Sequence, residues 1–140
     1  MGRIIAIDYG TKRTGLAVTD PLRIIANALE TVETKQLEKY LADYFSKNDV
    51  DIIVIGKPSQ MNGRPSETMR YIEPLAGRLR HAYPDKQVVL YDERFTSVMA
   101  HRTILESGIG KMARRDKALV DRISATIILQ SYMESAAYGV

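Results

Sequence analysis

The segment Asp51–Gly56, DIIVIG, constrains the fold more than any other stretch of the chain. Four β-branched residues run together and end in glycine, with no polar alternation that would let one face of a strand meet water. Such a strand has to be covered on both faces. That calls for a sheet with parallel neighbours and helices above and below it.

The remaining segments arrange themselves around this strand. Residues 4–8 (IIAID) read as a short strand and 14–19 (TGLAVT) as a second, and the connecting YGTKR carries the glycine of a tight hairpin. A third strand is expected over 24–32. Leu37, Tyr40, Leu41, Tyr44 and Phe45 recur at i, i+3, i+4, i+7 and i+8, the stripe of a helix with one buried face. Met69, Ile72, Ala76, Leu79 and Tyr83 mark a second helix. Pro74 lies inside it and removes a backbone hydrogen bond, at a cost of about 3 kcal/mol unless a kink relieves it. Residues 87–91 form another short buried strand. Thr96 or Ser97 would cap a helix over 98–107, Gly108 would stop it, and a final helix is expected over 118–135. The order βββ-α-β-α-β-α over residues 1–140 predicts one α/β domain, with a mixed five-stranded sheet that starts antiparallel and continues parallel.

Composition excludes several function classes. Cysteine is absent, which rules out disulfides and thiolate metal sites. No apolar stretch approaches the roughly 18 residues of a membrane span. The first residues lack a small-residue cleavage signal, and position 6 is Ala where myristoylation needs Ser or Thr. The chain therefore reads as cytoplasmic, with no membrane partner.

Three carboxylates occupy distinctive places. Asp8 ends IIAID, Glu93 ends VVLYDE, and Asp121 opens the apolar ALVDRISATIILQSYM. Acids at strand ends and at a helix start suit hard cations such as Mg²⁺ or Mn²⁺ held at one sheet edge, and two such ions can clamp both oxygens of a phosphodiester displacement. Simpler roles compete. Asp8 alone could close an Asx turn around Gly10. Asp121 would be favoured near a helix N-terminus anyway, typically by under about 1 kcal/mol. Its neighbours Leu119, Val120, Ile123 and Ala125 suggest a packed turn, however, where a lone carboxylate needs a partner. Asp92 and Glu93 face opposite ways while their strand persists, so at most one joins Asp8. His81 and His101 have no acidic or histidine companion nearby in sequence and read as surface or packing residues.

Net charge is only +3, but its distribution is uneven. Lys12 and Arg13 follow Asp8, Lys57 follows the central strand, and Lys111, Arg114, Arg115 and Lys117 crowd the approach to Asp121. A solvated basic loop is the bland reading of that last run; phosphate contact is the functional one. Tyr9, beside Asp8, is placed to stack on a base.

The four ordered segments IIAIDYGTKRTGLAVTDP, VIGKPSQMNG, VVLYDERFTS and DRISATIILQSYM resemble the YqgF/RuvX family, whose members are described as pre-16S rRNA nucleases or Holliday-junction-resolvase-like proteins. The resemblance runs nearly end to end and implies a ribonuclease H-like fold with helices on both faces of the sheet. It implies that Asp8, Glu93 and Asp121 are the catalytic, metal-binding carboxylates; Arg94, read from its neighbours alone, either pairs with Asp92 or orients Glu93. It also implies that the first hairpin and the 57–65 and 108–117 loops surround a nucleic-acid site. Related resolvases carry a fourth carboxylate one turn before the last, where position 118 here is Ala. The expected activity is divalent-metal-dependent cleavage of structured nucleic acid during ribosome biogenesis, on rRNA precursor rather than a DNA junction. The ribosome or its precursors would be partners. A junction-cleaving endonuclease and a catalytically silent binding module on the same face are the alternatives. An ATPase of the actin and sugar-kinase type, suggested by D-x-G-x-x-x-x-G, would need a second domain to enclose its nucleotide.

Overall fold

The computed structural model describes residues 2–57, 68–92 and 117–137, with the side chains of 122–135 in the last stretch. Five strands form one sheet: β1 (Arg3–Asp8), β2 (Arg13–Thr19), β3 (Ala26–Glu33), β4 (Val50–Lys57) and β5 (Gln87–Asp92). A 3-10 turn over Thr34–Gln36 leads into helix α1 (Leu37–Lys47). Helix α2 (Met69–Ala82) joins the β4 side to β5, and a long helix α3 (Lys117–Ala137) comes last in the chain. The strand order is β3-β2-β1-β4-β5. β1 pairs antiparallel with β2 and parallel with β4; β2–β3 is antiparallel and β4–β5 parallel.

Strand alternation sorts the core into two layers. Ile5 and Ile7 of β1, with Ile53 and Ile55 of β4, pack against Leu37, Leu41, Ile72, Leu75 and Leu79 on the α1/α2 face. Ile4 and Ala6 of β1, Ala17 of β2 and Val54 of β4 meet Ala125, Ile128 and Leu129 of α3 on the other face. The β-branched run of β4 is thus covered from both sides, as its composition demands. Alanine at 6, 17 and 125 leaves room for α3 to lie close to the sheet, where larger residues would hold it off.

Two elements depart from the sequence expectation. Ile24 and Ile25, read as the start of a strand, lie in the turn before β3 and are 68% and 57% exposed. The cause is local: the Asp20 carboxylate accepts the backbone N–H groups of Leu22, Ile24 and Ile25, at 3.2, 2.7 and 2.8 Å. It offers these amides what a strand partner would have offered. Arg23 in that turn takes a positive φ of 57°. Lys117, expected in a basic loop, is instead the first residue of α3. Helix α2 runs through Pro74, which sits on its exposed side. The helix expected over 98–107 lies outside the described residues.

Candidate active site

β1, β4 and β5 run parallel, so their carboxyl ends share one edge of the sheet. In open α/β sheets this is the edge where ligands bind. Asp8 is the last residue of β1, half-buried, and opposite Gly15 of β2. β4 and β5 end level with each other at the pair Lys57 and Asp92. Alternation from Ala6 puts Asp8 on the α3 face.

Helix α3 reaches the same place. Arg122 Nη1 lies 3.7 Å from Glu30 Oε1. Glu30 pairs with Leu16, and Leu16 with Ile7, the residue before Asp8. The first turns of α3 therefore stand near the level of the β1 end. Position 121 precedes Ala125 by one helical turn, on the stripe that continues through Ile128 and Leu129 onto the sheet. The side chain of Asp121 is outside the described residues, as are Glu93 and Arg94, and among the described side chains no three acids or histidines gather. The sequence donor set is oxygen-only and fits a hard cation. The one described histidine, His81, lies on the exposed side of α2 and brings no nitrogen ligand to this edge.

The β1–β2 hairpin is built to hold its shape. A Cβ on Gly10 would run into the Arg13 carbonyl oxygen, so the tight turn needs glycine there. Thr34, the first residue after β3, clamps the turn from the side. Its hydroxyl donates to the Gly10 carbonyl and its N–H to the Lys12 carbonyl at 3.0 Å. Thr14 Oγ1 stands 2.9 Å from Thr34 Oγ1. A threonine hydroxyl has one hydrogen, and that of Thr34 is committed to Gly10, so Thr14 is the donor in this pair.

The clamp fixes the carriers of positive charge. Thr11, Lys12, Arg13, Glu33 and Lys35 line an open recess of about 390 Å³. Lys12 and Arg13 are exposed there, and Lys35 is exposed with an ion pair of 3.4 Å to Glu33. Lys35 escaped the sequence reading because nothing local marks it; only the β2–β3 pairing brings it beside the hairpin. Lys57 stands half-buried at the carboxyl edge. Lys111, Arg114 and Arg115 lie outside the described residues, and the side chain of Lys117 does too.

Sequence reasoning placed Tyr9 near a base but missed its companions. The Tyr9 and Tyr71 rings stack with centroids 6.5 Å apart and planes at 23°. The Arg70 guanidinium lies 5.0 Å from the Tyr71 ring centre. By contrast, two carboxylates with shifted pKa values lie at the opposite end of the sheet. The N–H of Ile25 above all, with those of Ile24 and Leu22, holds Asp20 below its usual range. The Gly2 N–H, followed by the Arg23 guanidinium, does the same for Asp51. Both hold turns together, far from Asp8.

Comparison with known proteins gives a consistent set of relatives. The family model described as "RuvX: Holliday junction resolvase" matches residues 2–135. A protein of Porphyromonas gingivalis named "Putative pre-16S rRNA nuclease" is 60% identical over 135 residues, covering 96% of this chain and 98% of its own. Proteins of the same name from Parabacteroides distasonis and Flavobacterium johnsoniae are 55% and 49% identical, each over 99% of this chain and 99% and 100% of their own. Among solved structures, RuvC of T. thermophilus in complex with a Holliday junction substrate superposes with a TM-score of 0.65 at 16% identity, covering 99% of this chain and 97% of that one. The fowlpox virus Holliday junction resolvase does so at 0.57 and 18%, covering 96% and 99%. At such identities the two structures speak to the fold alone, which is ribonuclease H-like.

Proposed function

This chain belongs to the RuvX family, and from that membership we propose that it is a divalent-metal-dependent nuclease that trims precursor 16S rRNA. The nuclease assignment is supported by the family match and by relatives carrying that printed name along nearly their whole length. The choice of rRNA over a DNA junction follows the closeness of those relatives, against the fold-level likeness of the junction resolvases. The observation that carries the site is Asp8: a half-buried carboxylate at the carboxyl edge of the parallel strands, on the face where the first turns of α3 arrive.

In this reading Asp8, Glu93 and Asp121 hold Mg²⁺ or Mn²⁺. Glu93 follows directly on Asp92, the last residue of β5 at the carboxyl edge. Arg94 orients Glu93. With Ala at 118, the set suits one firmly held ion. The cation supplies Lewis acidity for water and for the charge that develops on the phosphodiester. The protein's own part is placement. The Thr34 clamp holds Lys12 and Arg13 where they grip phosphates beside Asp8, and Lys35 extends that grip. Lys57 serves from the β4 end, and Lys111, Arg114, Arg115 and Lys117 from the segment before and at the start of α3. No described helix is long and apolar enough to cross a membrane; the working place we propose is the cytoplasm, with ribosomal precursors as partners.

The test is incubation of the purified protein with precursor rRNA and with four-way DNA junctions, in Mn²⁺ or in chelator. Cleavage should require the metal and prefer the RNA, and Asp8→Asn should abolish it while leaving the circular dichroism spectrum unchanged. Undiminished cleavage by Asp8→Asn would remove Asp8 from the chemistry.

A further inference from the structure

Behind Asp8, on the other face of the sheet, two aromatic rings and an arginine stand together. Tyr9 is the next residue after Asp8, and consecutive Cα atoms are about 3.8 Å apart, so the strand end that carries the carboxylate also anchors the stack. Tyr9 is half-buried and packs on the α1/α2 core. The ring stacked on it, Tyr71, is 41% exposed. Arg70 adds its guanidinium 5.0 Å from the Tyr71 ring centre and donates to the Tyr71 hydroxyl at 3.2 Å.

The fold does not need Tyr71 in its core. The buried stripe of α2 is made by Met69, Ile72, Leu75, Ala76 and Leu79, and Tyr71 falls outside it. Among the described residues the other large exposed apolar side chains are Leu22, Ile24 and Ile25, all in the turn before β3 at the far end of the sheet. Only Tyr71 stands at the Asp8 edge. Positive charge is at hand: Arg70 stands beside the ring, the first turn of α2 holds no acid, and Lys57 ends β4 at the same edge. An exposed aromatic ring backed by a second ring and an arginine, next to a phosphodiester site, combines the two elements that hold an unpaired nucleotide, a stacking surface and a positive approach. A base within a duplex is already stacked on its neighbours and cannot offer its face.

We propose that Tyr71, supported by Tyr9 and Arg70, is a stacking platform for one unpaired nucleobase of the strand that passes Asp8. The substrate segment at the site is then single-stranded or splayed rather than continuous duplex. This rests on the nuclease reading and narrows it to a substrate class.

The experiment compares the full-length wild type with Tyr71→Ala and Tyr71→Trp. Fluorescence anisotropy is read on an unpaired RNA oligonucleotide and on an RNA duplex of the same sequence, in chelator so that nothing is cut. Tyr71→Ala should weaken binding of the unpaired RNA roughly 5- to 150-fold, the range of one lost base stack. Duplex affinity should stay within about twofold, and Tyr71→Trp should keep the wild-type affinity for unpaired RNA. A platform is refuted if Tyr71→Ala binds the unpaired RNA as the wild type does, or if both RNAs weaken equally. In either case Mn²⁺-dependent cleavage by the wild type would leave the nuclease reading standing. A wild type that neither binds nor cuts any nucleic acid would overturn both.

Discussion

Replacing Thr34 by valine should expose how much stability rests on the clamp around the first hairpin. Valine has nearly the same shape, so no cavity opens; what disappears is one hydroxyl. Two groups lose their partner. The Thr14 hydroxyl, on a residue fully shielded from water, is left a donor with nothing to accept it. Such a buried orphan costs about 1–3 kcal/mol. The Gly10 carbonyl loses the Thr34 hydroxyl but sits where water can reach, so about 0.5–1 kcal/mol is enough for it. The backbone bond from Thr34 to Lys12 survives. The total is about 1.5–4 kcal/mol. With unfolding entropy near 2.1 cal/mol/K per residue, a chain of 140 residues loses roughly 3.4 °C per kcal/mol, so the melting temperature should fall by about 5–14 °C. A double-mutant cycle isolates the cause. Thr14→Val removes the donor itself and should cost only about 0.5–1.5 kcal/mol, and the double variant should be less damaged than the two single effects combined. Scanning calorimetry on the four proteins measures all of this. A Thr34→Val melting point within about 1 °C of wild type, or strictly additive effects, would refute the clamp.

The same structure sets other expectations. Lys12→Ala and Arg13→Ala should each lower the slope of log K against log salt for single-stranded RNA by about 0.7, with little dependence on sequence; an unchanged slope would take that residue off the phosphate backbone. Asp51 is held below 3.8 by the Gly2 N–H and Arg23, so its stabilisation is complete above that pH and is lost as pH falls through the lowered value. Denaturant unfolding of Asp51→Asn should accordingly lose less stability between neutral pH and the acid range than the wild type; an equal loss would mean that Asp51 gains nothing from its partners. Ala17→Leu forces three extra carbons between the sheet and α3 and should lower the melting temperature by about 3–10 °C, whereas no change would show that α3 does not lie against this position.

Much of the architecture is legible in the residues because it is decided by short-range pattern. IIVI in β4 has no polar face, and helices duly cover both sides of it. The stripe from Leu37 to Phe45 becomes α1, with Leu37 and Leu41 fully buried. Asp8 ends its strand because the glycine turn begins directly after it. Ile24 and Ile25 misled for an equally physical reason: their apolar character speaks for a strand, but the Asp20 carboxylate captures their amides first.

The edge of the candidate site belongs to another category. Thr34 meets Gly10 across 24 positions of chain, Lys35 comes to Lys12 only because β3 folds back along β2, and Tyr71 reaches Tyr9 only because α2 packs back onto the sheet. Strand, helix and turn preferences report the chemistry of neighbours in sequence, and they determined the element types and the two-sided core. Which distant side chains share a hydroxyl, a ring face or a patch of charge depends on register and packing. Those are settled by burying apolar surface over the whole sheet, a sum that no local stretch of residues contains.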